Sequence, residues 1–467
     1  MKEYRLDRMI AYLKTKEGKS AYFSLFPKLL KLKKESVKRP KPTIRIATVA
    51  LISLSVISAI IYWGLSLPSV SYVALLIILL ILIPNIILIT SLPLSVGVFL
   101  LVQVLLFFAK IKITQKKPLI IGITGSYGKT STKHLLTHLL KTRYSTFTTL
   151  KSYNTPYSMA MQILTRYKQE EVVVLEFAAY KPKEIEKLTR IFKPQIAIIT
   201  GLTSQHLSIF GSVENIIQAK AELIESLPER GVVFYNDQET SQAERIVQYA
   251  LERKEGIISY NFTSSKLDLN YSQPIINKSG KLAFELNNEQ INTNFVGQQY
   301  LSIIKGAVAV AKYLQIPLKQ IKKQLTTFMP NQQFVKYFQH QQGFWIVDDG
   351  RTANPAGFKA AIELTEELVK QNNFTGKKIL ITSGLIDLGN AGDELNRNLA
   401  KQAKEVFNEI FYTGEPGLKQ FQEEFGNALT SDKEKITQAI KSLDSNDLIL
   451  VEGKLPISVA DLLKISQ

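Results

Sequence analysis

Residues 119–131 read LIIGITGSYGKTS, and this stretch decides the fold of the chain. Its first five residues are apolar and largely β-branched, which is typical of a parallel strand that is buried on both faces. A glycine-rich turn follows, and residues 131–141 have a helical pattern. A strand, such a turn and a helix, in this order, surround phosphate with main-chain N–H groups at a helix N-terminus. The stretch therefore predicts a nucleotide-binding α/β domain.

The turn departs from the strict pattern G-x4-G-K-[ST], because Ile123 stands where the first glycine belongs. We expect the side chain of Lys129 to reach the terminal phosphates and the hydroxyl of Thr130 to bind Mg²⁺. A glycine-rich turn that arises by chance is the alternative, and it fits the strand and helix context less well. The residues predicted to bind the nucleotide at the turn are Gly125, Ser126, Tyr127, Gly128, Lys129, Thr130 and Ser131.

Strand and helix patterns alternate on both sides of a predicted domain boundary near residues 327–333, which indicates doubly wound α/β sheets. We predict membrane-anchoring helices, then a P-loop-type central ATPase domain, then a smaller Rossmann-like carboxy-terminal domain. The predicted segments are 1–45 (basic), 46–112 (membrane), 113–328 (central) and 329–467 (carboxy-terminal). The strands predicted after the first one are 172–177, 196–200 and 232–235 in the central domain, and 344–347, 379–382, 409–412 and 448–451 in the last.

The net charge of +18 over 467 residues is concentrated beside an uncharged stretch. Residues 1–45 carry a net charge of +10, residues 46–109 carry no charged side chain, and residues 110–117 carry +4. A nucleic-acid-binding protein would need its positive charge on the folded body, which holds only +4 over residues 118–467. The absence of cysteine excludes a disulfide scaffold, a thiolate zinc site and a cysteine nucleophile.

Lysine-rich flanks around an apolar stretch predict membrane insertion with both flanks in the cytoplasm. The apolar stretches are 46–67, 73–90 and 94–109, separated by prolines, and one span takes about 20 residues. Three spans would put the two flanks on opposite sides, so we favour two spans, with the Pro84 region either re-entrant or merged into a neighbouring span. Residues 1–35 resemble a basic helix that lies on anionic lipid, and a solvated basic arm is the alternative.

The spacing of the turn is where the sequence resembles a known family, the Mur ligases, which are ATP-dependent amide ligases that build the peptidoglycan stem peptide. Asn154 and Thr155 lie in a segment that resembles the family's substrate loop, and Glu176 ends a strand where the family keeps a magnesium-binding glutamate. The resemblance covers about residues 118–467. Its other motifs are Thr200-Gly201, Gln205-His206-Leu207, Gly211-Ser212, Ala219-Lys220-Ala221-Glu222-Leu223, Asp348-Asp349, Ala353-Asn354-Pro355 and Leu385-Ile386-Asp387-Leu388-Gly389. The motifs after residue 348 fit the member that adds D-alanyl-D-alanine.

This resemblance implies a reaction and a set of site residues. A stem-peptide carboxylate attacks the γ-phosphate of ATP, and an amine then displaces phosphate from the acyl phosphate. It implies catalytic roles for Lys129, Glu176, His206 and Lys220, with Lys220 carrying CO₂ as a carbamate. It implies Mg²⁺ binding by Thr130, Glu176, Lys220 and His206, substrate binding by Asn154, Thr155 and Arg351, and a place near the adenine for Asn354. The implied partners are ATP, Mg²⁺, a peptidoglycan precursor and a dipeptide. The charge and apolar patterns add membrane lipid, argue against nucleic acid, and predict a place at the cytoplasmic face of the cell membrane.

Several residues have a plainer interpretation when the family is set aside. Lys220 is then a lysine on a helix surface, and Glu176 is equally well an ordinary carboxylate at a strand end. His134 and His138 are four residues apart on a helix, and we favour ordinary histidines on a helix face over a metal pair because the zinc-protease motif is incomplete. Asp348 and Asp349 fit either acid–base chemistry or a turn at a strand end.

The sequence also departs from the family, and the departures leave the substrate open. The membrane stretch stands in place of the uridine-nucleotide-binding domain, and residues 297–303 lack the family's polar residues that contact the base. The family's Lys-Gly-Ser is matched by Glu452-Gly453-Lys454. The alternatives are a Mur-like ligase that amidates a different, lipid-linked cell-wall substrate, and a non-catalytic membrane scaffold with a degenerate nucleotide-binding fold.

Overall fold

The computed structural model describes residues 44–203, 210–238, 241–331, 334–350, 354–385, 388 and 392–465. Contacts within the chain divide it into two compact units, Met1–Phe107 and Phe108–Gln467. Nearly all of the basic segment 1–45 lies outside the described residues, so its two interpretations stay predictions.

The described part of the first unit consists of apolar helices. Helix α1 spans Ile44–Gly64, and helix α2 spans Ser69–Thr114, so α2 continues into the second unit. By length and composition, Ala47–Gly64 and Asn85–Thr114 are each able to cross a membrane, and Ser69–Leu80 is a shorter apolar stretch. Two candidate spans among the described residues agree with the count favoured from the charge pattern.

Helix α2 joins two stretches that the sequence pattern separates. Pro84 and Pro93 both lie inside its 46 residues. Of the two arrangements expected for the Pro84 region, the helix therefore shows the merged one. The separation of the apolar stretches at Pro93 is wrong. Helices in apolar surroundings tolerate proline, because neighbouring groups satisfy the main-chain atoms that proline frees. At 1.5 Å per residue the helix is about 69 Å long, roughly twice the ~30 Å of a bilayer's hydrocarbon core.

The second unit begins with a six-stranded sheet, the central sheet. Its strands are β1 (Leu119–Thr124), β2 (Thr146–Thr148), β3 (Val172–Glu176), β4 (Ile196–Ile199), β5 (Val232–Tyr235) and β6 (Ile258–Asn261). All neighbours run parallel, in the order β2-β3-β1-β4-β5-β6. Its helices are α3 (Lys129–Leu140), α4 (Pro156–Arg166), α5 (Glu184–Phe192), α6 (Val213–Glu225) and α7 (Ala243–Leu251).

The central strands are the ones that the sequence predicts. β1, β3, β4 and β5 are confirmed within one residue at either end, because each is an apolar run buried on both faces. The two edge strands were not predicted, since β2 has three residues and β6 is half exposed. Parallel order puts the carboxyl ends of β1, β3 and β4 side by side, at the edge where open α/β sheets bind ligands.

A small antiparallel sheet and two helices follow the central sheet. The strands β7 (Ile275–Ile276), β8 (Lys281–Leu286) and β9 (Glu289–Val296) form the sheet. Helices α8 (Tyr300–Tyr313) and α9 (Leu318–Thr327) come next, and α8 packs against α3. This sheet was not predicted from the sequence, because its strands alternate polar and apolar residues over short runs.

A second six-stranded sheet forms the carboxy-terminal part. Its strands are β10 (Lys336–Gln339), β11 (Trp345–Asp349), β12 (Lys378–Thr382), β13 (Glu409–Tyr412), β14 (Leu429–Thr430) and β15 (Leu448–Glu452). The order is β10-β11-β15-β12-β13-β14, and only the edge strand β10 is antiparallel to its neighbour. The helices are α10 (Pro355–Asn372), α11 (Gly392–Val406), α12 (Leu418–Phe425), α13 (Lys433–Lys441) and α14 (Ile457–Leu462). The α/β fold class is therefore confirmed for both sheets.

Candidate active site

Two glycines shape the turn between β1 and α3. Gly125 has a φ of 153°, and a Cβ atom there would lie 1.9 Å from the hydroxyl oxygen of Thr200. Gly128 has a φ of 73° and is the N-cap of α3, a left-handed conformation that favours glycine. The main-chain N–H of Ser126 donates to the carbonyl oxygen of Gly201 over 2.8 Å, which ties the turn to the end of β4. The turn therefore brings main-chain groups to the N-terminus of α3, as the sequence predicts.

Three of the predicted residues meet at one carboxylate. Glu176 ends β3, and its side chain is 2% exposed. Its Oε2 accepts from the Thr130 hydroxyl at 2.8 Å, and its Oε1 accepts from the Asn154 side-chain amide at 2.8 Å. β1 and β3 are paired neighbours with Ile123 opposite Glu176, and this register carries the carboxylate to the start of α3. The sequence supplied these residues, and the parallel pairing of β1 and β3 explains why they lie together.

A third contact to this carboxylate comes from Lys133, which was not predicted from the sequence. Its side chain is 0% exposed, and its Nζ lies 3.7 Å from Glu176 Oε2. The same ammonium donates to the Thr149 hydroxyl at 3.2 Å and to the Lys151 carbonyl oxygen. Burial lowers the pKa of Lys133 to about 8, and the nearby Glu176 carboxylate partly offsets this. The signal in the sequence is its position four residues after Lys129, one helical turn further along the same face of α3.

Two more lysines lie within electrostatic range of this group. Lys129 donates to the carbonyl oxygen of Gly125 at 2.7 Å, and burial lowers its pKa while Glu176 raises it. Lys220 is 6% exposed, and burial followed by repulsion from Lys129 holds its pKa well below the usual value. Among the described residues, no hydrogen bond or ion pair joins Lys220 to a partner. Burial favours the neutral form of the Lys220 amine, and a neutral amine is nucleophilic.

Lys220 is buried because α6 is buried on almost every side. Residues 219–224 of this helix are all buried, so the interpretation of Lys220 as a surface lysine is wrong. Glu222, two residues further on, accepts from the main-chain N–H groups of Lys183 and Glu186 and so caps the start of α5. This carboxylate fixes α6 against the segment that follows Glu176, a structural role that the sequence pattern did not indicate.

Tyr127 and Asn236 hold the turn from the other side. The Tyr127 ring lies so close over Gly201 that a Cβ atom there would be 2.4 Å from the Tyr127 hydroxyl oxygen. Asn236 forms a hydrogen bond with the Tyr127 side chain and donates to the carbonyl oxygen of Thr200 at 3.1 Å. Burial raises the pKa of Tyr127, so its hydroxyl stays protonated and able to donate. Tyr127 therefore packs the turn against the end of β4.

Two predicted ligand-binding residues are helix caps. Thr155 accepts from the main-chain N–H of Ser158 and forms a capping box at the start of α4. Asn354 accepts from the main-chain N–H of Gly357 at 2.9 Å and caps α10. A cap satisfies main-chain N–H groups that a helix start leaves free, so both side chains have a structural use. Ser131 lies in the first turn of α3, and His206 and Arg351 lie outside the described residues.

The remaining titratable candidates lie on α3 and at the end of β11. His134 and His138 are partly buried on α3, and burial lowers both pKa values, that of His134 to about 4. Within the described ranges, no group of three or more histidine, aspartate or glutamate side chains has the spacing to hold a metal ion. Asp348 accepts from the main-chain N–H of Gly350 at 3.0 Å, which is a turn contact at the end of β11. Asp349 is buried beside it.

Comparisons with known proteins agree with this geometry. Residues 123–311 match the model of the Mur ligase middle domain. The UDP-N-acetylmuramoyl-tripeptide--D-alanyl-D-alanine ligase of Bacillus subtilis is 26% identical over 356 residues, which cover 74% of this chain and 75% of that protein. Among solved structures, MurF from Acinetobacter baumannii matches with a TM-score of 0.66 at 21% identity, covering 78% of this chain and 79% of that one. MurF from Thermotoga maritima in complex with ADP matches with a TM-score of 0.65 at 23% identity, covering 78% and 83%.

Proposed function

We propose that this chain, a MurF-like Mur ligase, is an ATP-dependent amide ligase of peptidoglycan precursor synthesis. The reaction that we assign to it joins D-alanyl-D-alanine to a UDP-N-acetylmuramoyl tripeptide. The observation that carries the proposal is the contact of Thr130 and Asn154 with Glu176 beside the glycine-rich turn. These residues lie within the segment that matches the Mur ligase middle domain.

The chemistry requires two anions to react, and the site has the groups to bring them together. The tripeptide carboxylate attacks the γ-phosphorus of ATP and ADP leaves, and the amine of the dipeptide then attacks the acyl carbon and phosphate leaves. Lys129 would bind the terminal phosphates, with the main-chain N–H groups of the turn around them. Asn154 would orient the acceptor from the segment that it shares with Thr155. Holding the reactants in line supplies a large part of such a rate enhancement.

Mg²⁺ fits the oxygen atoms at the end of β3. Thr130 Oγ1 and Glu176 Oε2 lie 2.8 Å apart, and a hydroxyl and a carboxylate are the hard donors that Mg²⁺ prefers. When bound, the ion would neutralise charge that develops on the phosphates. Thr130 and Glu176 are therefore the residues that we assign to it. The predicted contribution of His206 lies outside the described residues and stays a prediction.

Lys220 has the surroundings that a carbamate needs before it forms. CO₂ reacts with a neutral amine, and burial lowers the pKa of Lys220, which favours its neutral form. The carbamate would turn a buried cation into an anion close to Lys129. We therefore keep Lys220 as a carbamylated residue that supports the metal and phosphate groups.

The apolar helices favour a membrane anchor with the catalytic part in the cytoplasm. Large apolar side chains are exposed along both helices, among them Leu51, Val70 and Phe99. Tyr62 and Trp63 are exposed at the end of α1, and such residues concentrate at membrane interfaces. The Lys110 and Lys112 side chains then mark the cytoplasmic end of α2, in line with the positive-inside rule.

A second candidate keeps the reaction and changes the substrate to a lipid-linked cell-wall precursor. The apolar helices favour it, since they would hold the active site next to lipid. Comparing turnover on soluble and lipid-linked forms of the same tripeptide separates the two candidates. A soluble preference that persists without the anchor would exclude the second one. A third candidate, a non-catalytic scaffold, predicts nucleotide binding without amide formation.

The experiment that tests the function is amide formation by the purified full-length protein. Wild type should release one phosphate from ATP for each D-alanyl-D-alanine that it joins to the tripeptide. Lys129→Ala should slow this at least ~100-fold, because a charged contact to transferring phosphate is worth several kcal/mol. Lys141→Ala, at the exposed far end of the same helix, is the matched control and should keep full activity. Equal activity in Lys129→Ala and wild type would contradict the site, and ATP binding without any amide would favour the scaffold.

A further inference from the structure

Lys133 is a buried charged residue next to the site, and the proposed reaction gives it no role. It points from α3 toward Glu176, and its side chain is 0% exposed. Fully buried lysines are rare unless they are paired, because removing an ammonium from water is costly. Lys133 meets this cost with three oxygen partners from two separate parts of the chain. Lys129 occupies the turn, so Lys133 is a second lysine with a different task.

The three contacts of Lys133 connect the two parts of the site that have to stay in register. The Glu176 carboxylate is at the end of β3, 3.7 Å from the ammonium. The Thr149 hydroxyl and the Lys151 carbonyl belong to the segment that leads to Asn154. Asn154 itself donates back to Glu176 Oε1. The contacts therefore form a closed ring from α3 to the strand end, to the acceptor segment and back to the carboxylate.

We propose that Lys133 is a positioning residue that sets the orientation of the Glu176 carboxylate and the place of the 149–154 segment. It acts through Glu176 and Asn154, and it does not contact the reacting atoms. This inference rests on the proposed function, in which Glu176 binds a divalent ion and Asn154 orients the acceptor. Groups that orient a metal ligand from behind typically change metal affinity or activity by about 10–100-fold when they are removed.

Lys322 provides a comparison for the merely structural use of a buried lysine. It lies on α9, is buried, and forms an ion pair with Glu289 at 3.0 Å. No predicted site residue takes part in that pair within the described structure. Lys322→Met removes the same chemical group from a buried helix position without touching the site. It therefore serves as the matched control for Lys133→Met.

The test is a double-mutant cycle on the full-length protein, with Lys133→Met, Glu176→Gln and the double variant. Lys133→Met should lower kcat about 10–100-fold. The KM for ATP should change less than about threefold, because the turn and Lys129 keep their contacts. In the Glu176→Gln background Lys133→Met should have almost no further effect, since residues that act as a unit are strongly non-additive. Lys133→Gln, which keeps a hydrogen-bond donor without the charge, is a second variant in case Lys133→Met fails to fold.

A binding measurement keeps the inference testable apart from turnover. Free Mn²⁺, counted by electron paramagnetic resonance in the presence of ADP, should show about tenfold weaker Mn²⁺ binding in Lys133→Met and unchanged binding in Lys322→Met. Additive effects in the cycle, or Lys133→Met behaving like Lys322→Met, would overturn the inference. If wild type forms no amide with any acceptor, the proposed function fails. The Mn²⁺ titrations of wild type, Lys133→Met and Lys322→Met then still decide the role of Lys133.

Discussion

Two buried glutamates end inner strands of the two large sheets, and their surroundings are opposite. Glu176 ends β3 of the central sheet and is 2% exposed, and Glu452 ends β15 of the carboxy-terminal sheet and is 1% exposed. Glu176 accepts from Thr130 and Asn154 and lies beside the Lys133 ammonium. Neither carboxylate oxygen of Glu452 has a hydrogen-bond partner among the described residues, and Asp349 is its register neighbour on β11.

The difference shows that position in a parallel sheet does not by itself make a carboxylate functional. Both residues stand at the strand ends where α/β folds bind ligands. Donors and a counter-charge stabilise an ionised carboxylate at Glu176. At Glu452, burial and repulsion from Asp349 and Asp348 hold the pKa well above its usual value. The first carboxylate has donors and a counter-charge beside it, and the second lies buried next to two other carboxylates.

Glu176→Gln should give the largest loss of activity and stability. A smaller loss would contradict the contrast between Glu176 and Glu452. The change removes the counter-charge of a fully buried lysine, and breaking a buried pair from one side costs about 3–5 kcal/mol. Ligation should fall at least ~100-fold with the loss of the charged group that we propose as a metal ligand. Amide formation and the apparent melting temperature of full-length protein in detergent measure both effects. A Glu176→Gln variant as active as wild type would remove Glu176 from the site.

Most of the central sheet could be predicted, because inner strands of a parallel sheet are continuous apolar runs. β1, β3, β4 and β5 are such runs, and the glycine-rich turn identifies the first of them. The small sheet of β7, β8 and β9 could not be predicted, since its strands expose polar residues and its pairing depends on tertiary contacts. The continuity of helix α2 could not be predicted from its prolines, because proline breaks most helices and is tolerated in others.

The identity of most site residues could be predicted from the sequence, whereas the contacts between them could not. Thr130, Asn154 and Glu176 follow from the turn and from the family resemblance, and the structure brings them together. The spacing of Lys133 from Lys129 puts both lysines on one face of α3, but its contact with Glu176 could not be predicted, because Glu176 lies 43 positions further along the chain. The burial of Lys220 was also hidden, since it depends on α6 being enclosed on almost every side. Long-range packing, which a linear pattern does not contain, decides both.

Asn154→Ala should have an intermediate effect and sharpens the account of Glu176. It removes one neutral donor from the carboxylate and leaves Lys133 and Thr130 in place. A hydrogen bond to a charged group contributes about 1.5–3 kcal/mol, so we expect that loss of stability together with about a tenfold lower kcat. Asn372→Ala removes an asparagine that donates to main-chain oxygens at the end of α10, and it should leave kcat unchanged. A kcat equal to wild type in Asn154→Ala would confine that residue to a structural role.

Glu452→Gln should give the smallest effect, with the opposite sign from Glu176→Gln. The folded protein binds the Glu452 proton more tightly than the unfolded chain, whose glutamate pKa is about 4.3. Between these two pKa values the folded state holds more protons, so wild-type stability falls as the pH rises above about 4.3 and levels off above the raised pKa. Because glutamine cannot ionise, the Glu452→Gln variant does not lose this stability as the pH rises.

The two proteins should therefore melt together near pH 4, and Glu452→Gln should melt higher at pH 8, by roughly 2–4 °C for each kcal/mol regained. All other titratable groups are common to both proteins. The difference between their melting temperatures therefore changes from pH 4 to pH 8 only because of residue 452. Glu409→Gln is the matched control, because that strand-start carboxylate is partly exposed and pairs with Lys377 at 2.8 Å. It should gain no stability at pH 8. A constant difference between wild type and Glu452→Gln at both pH values would mean that Glu452 is ionised in the fold, and the contrast with Glu176 would then be one of hydrogen bonding and not of charge.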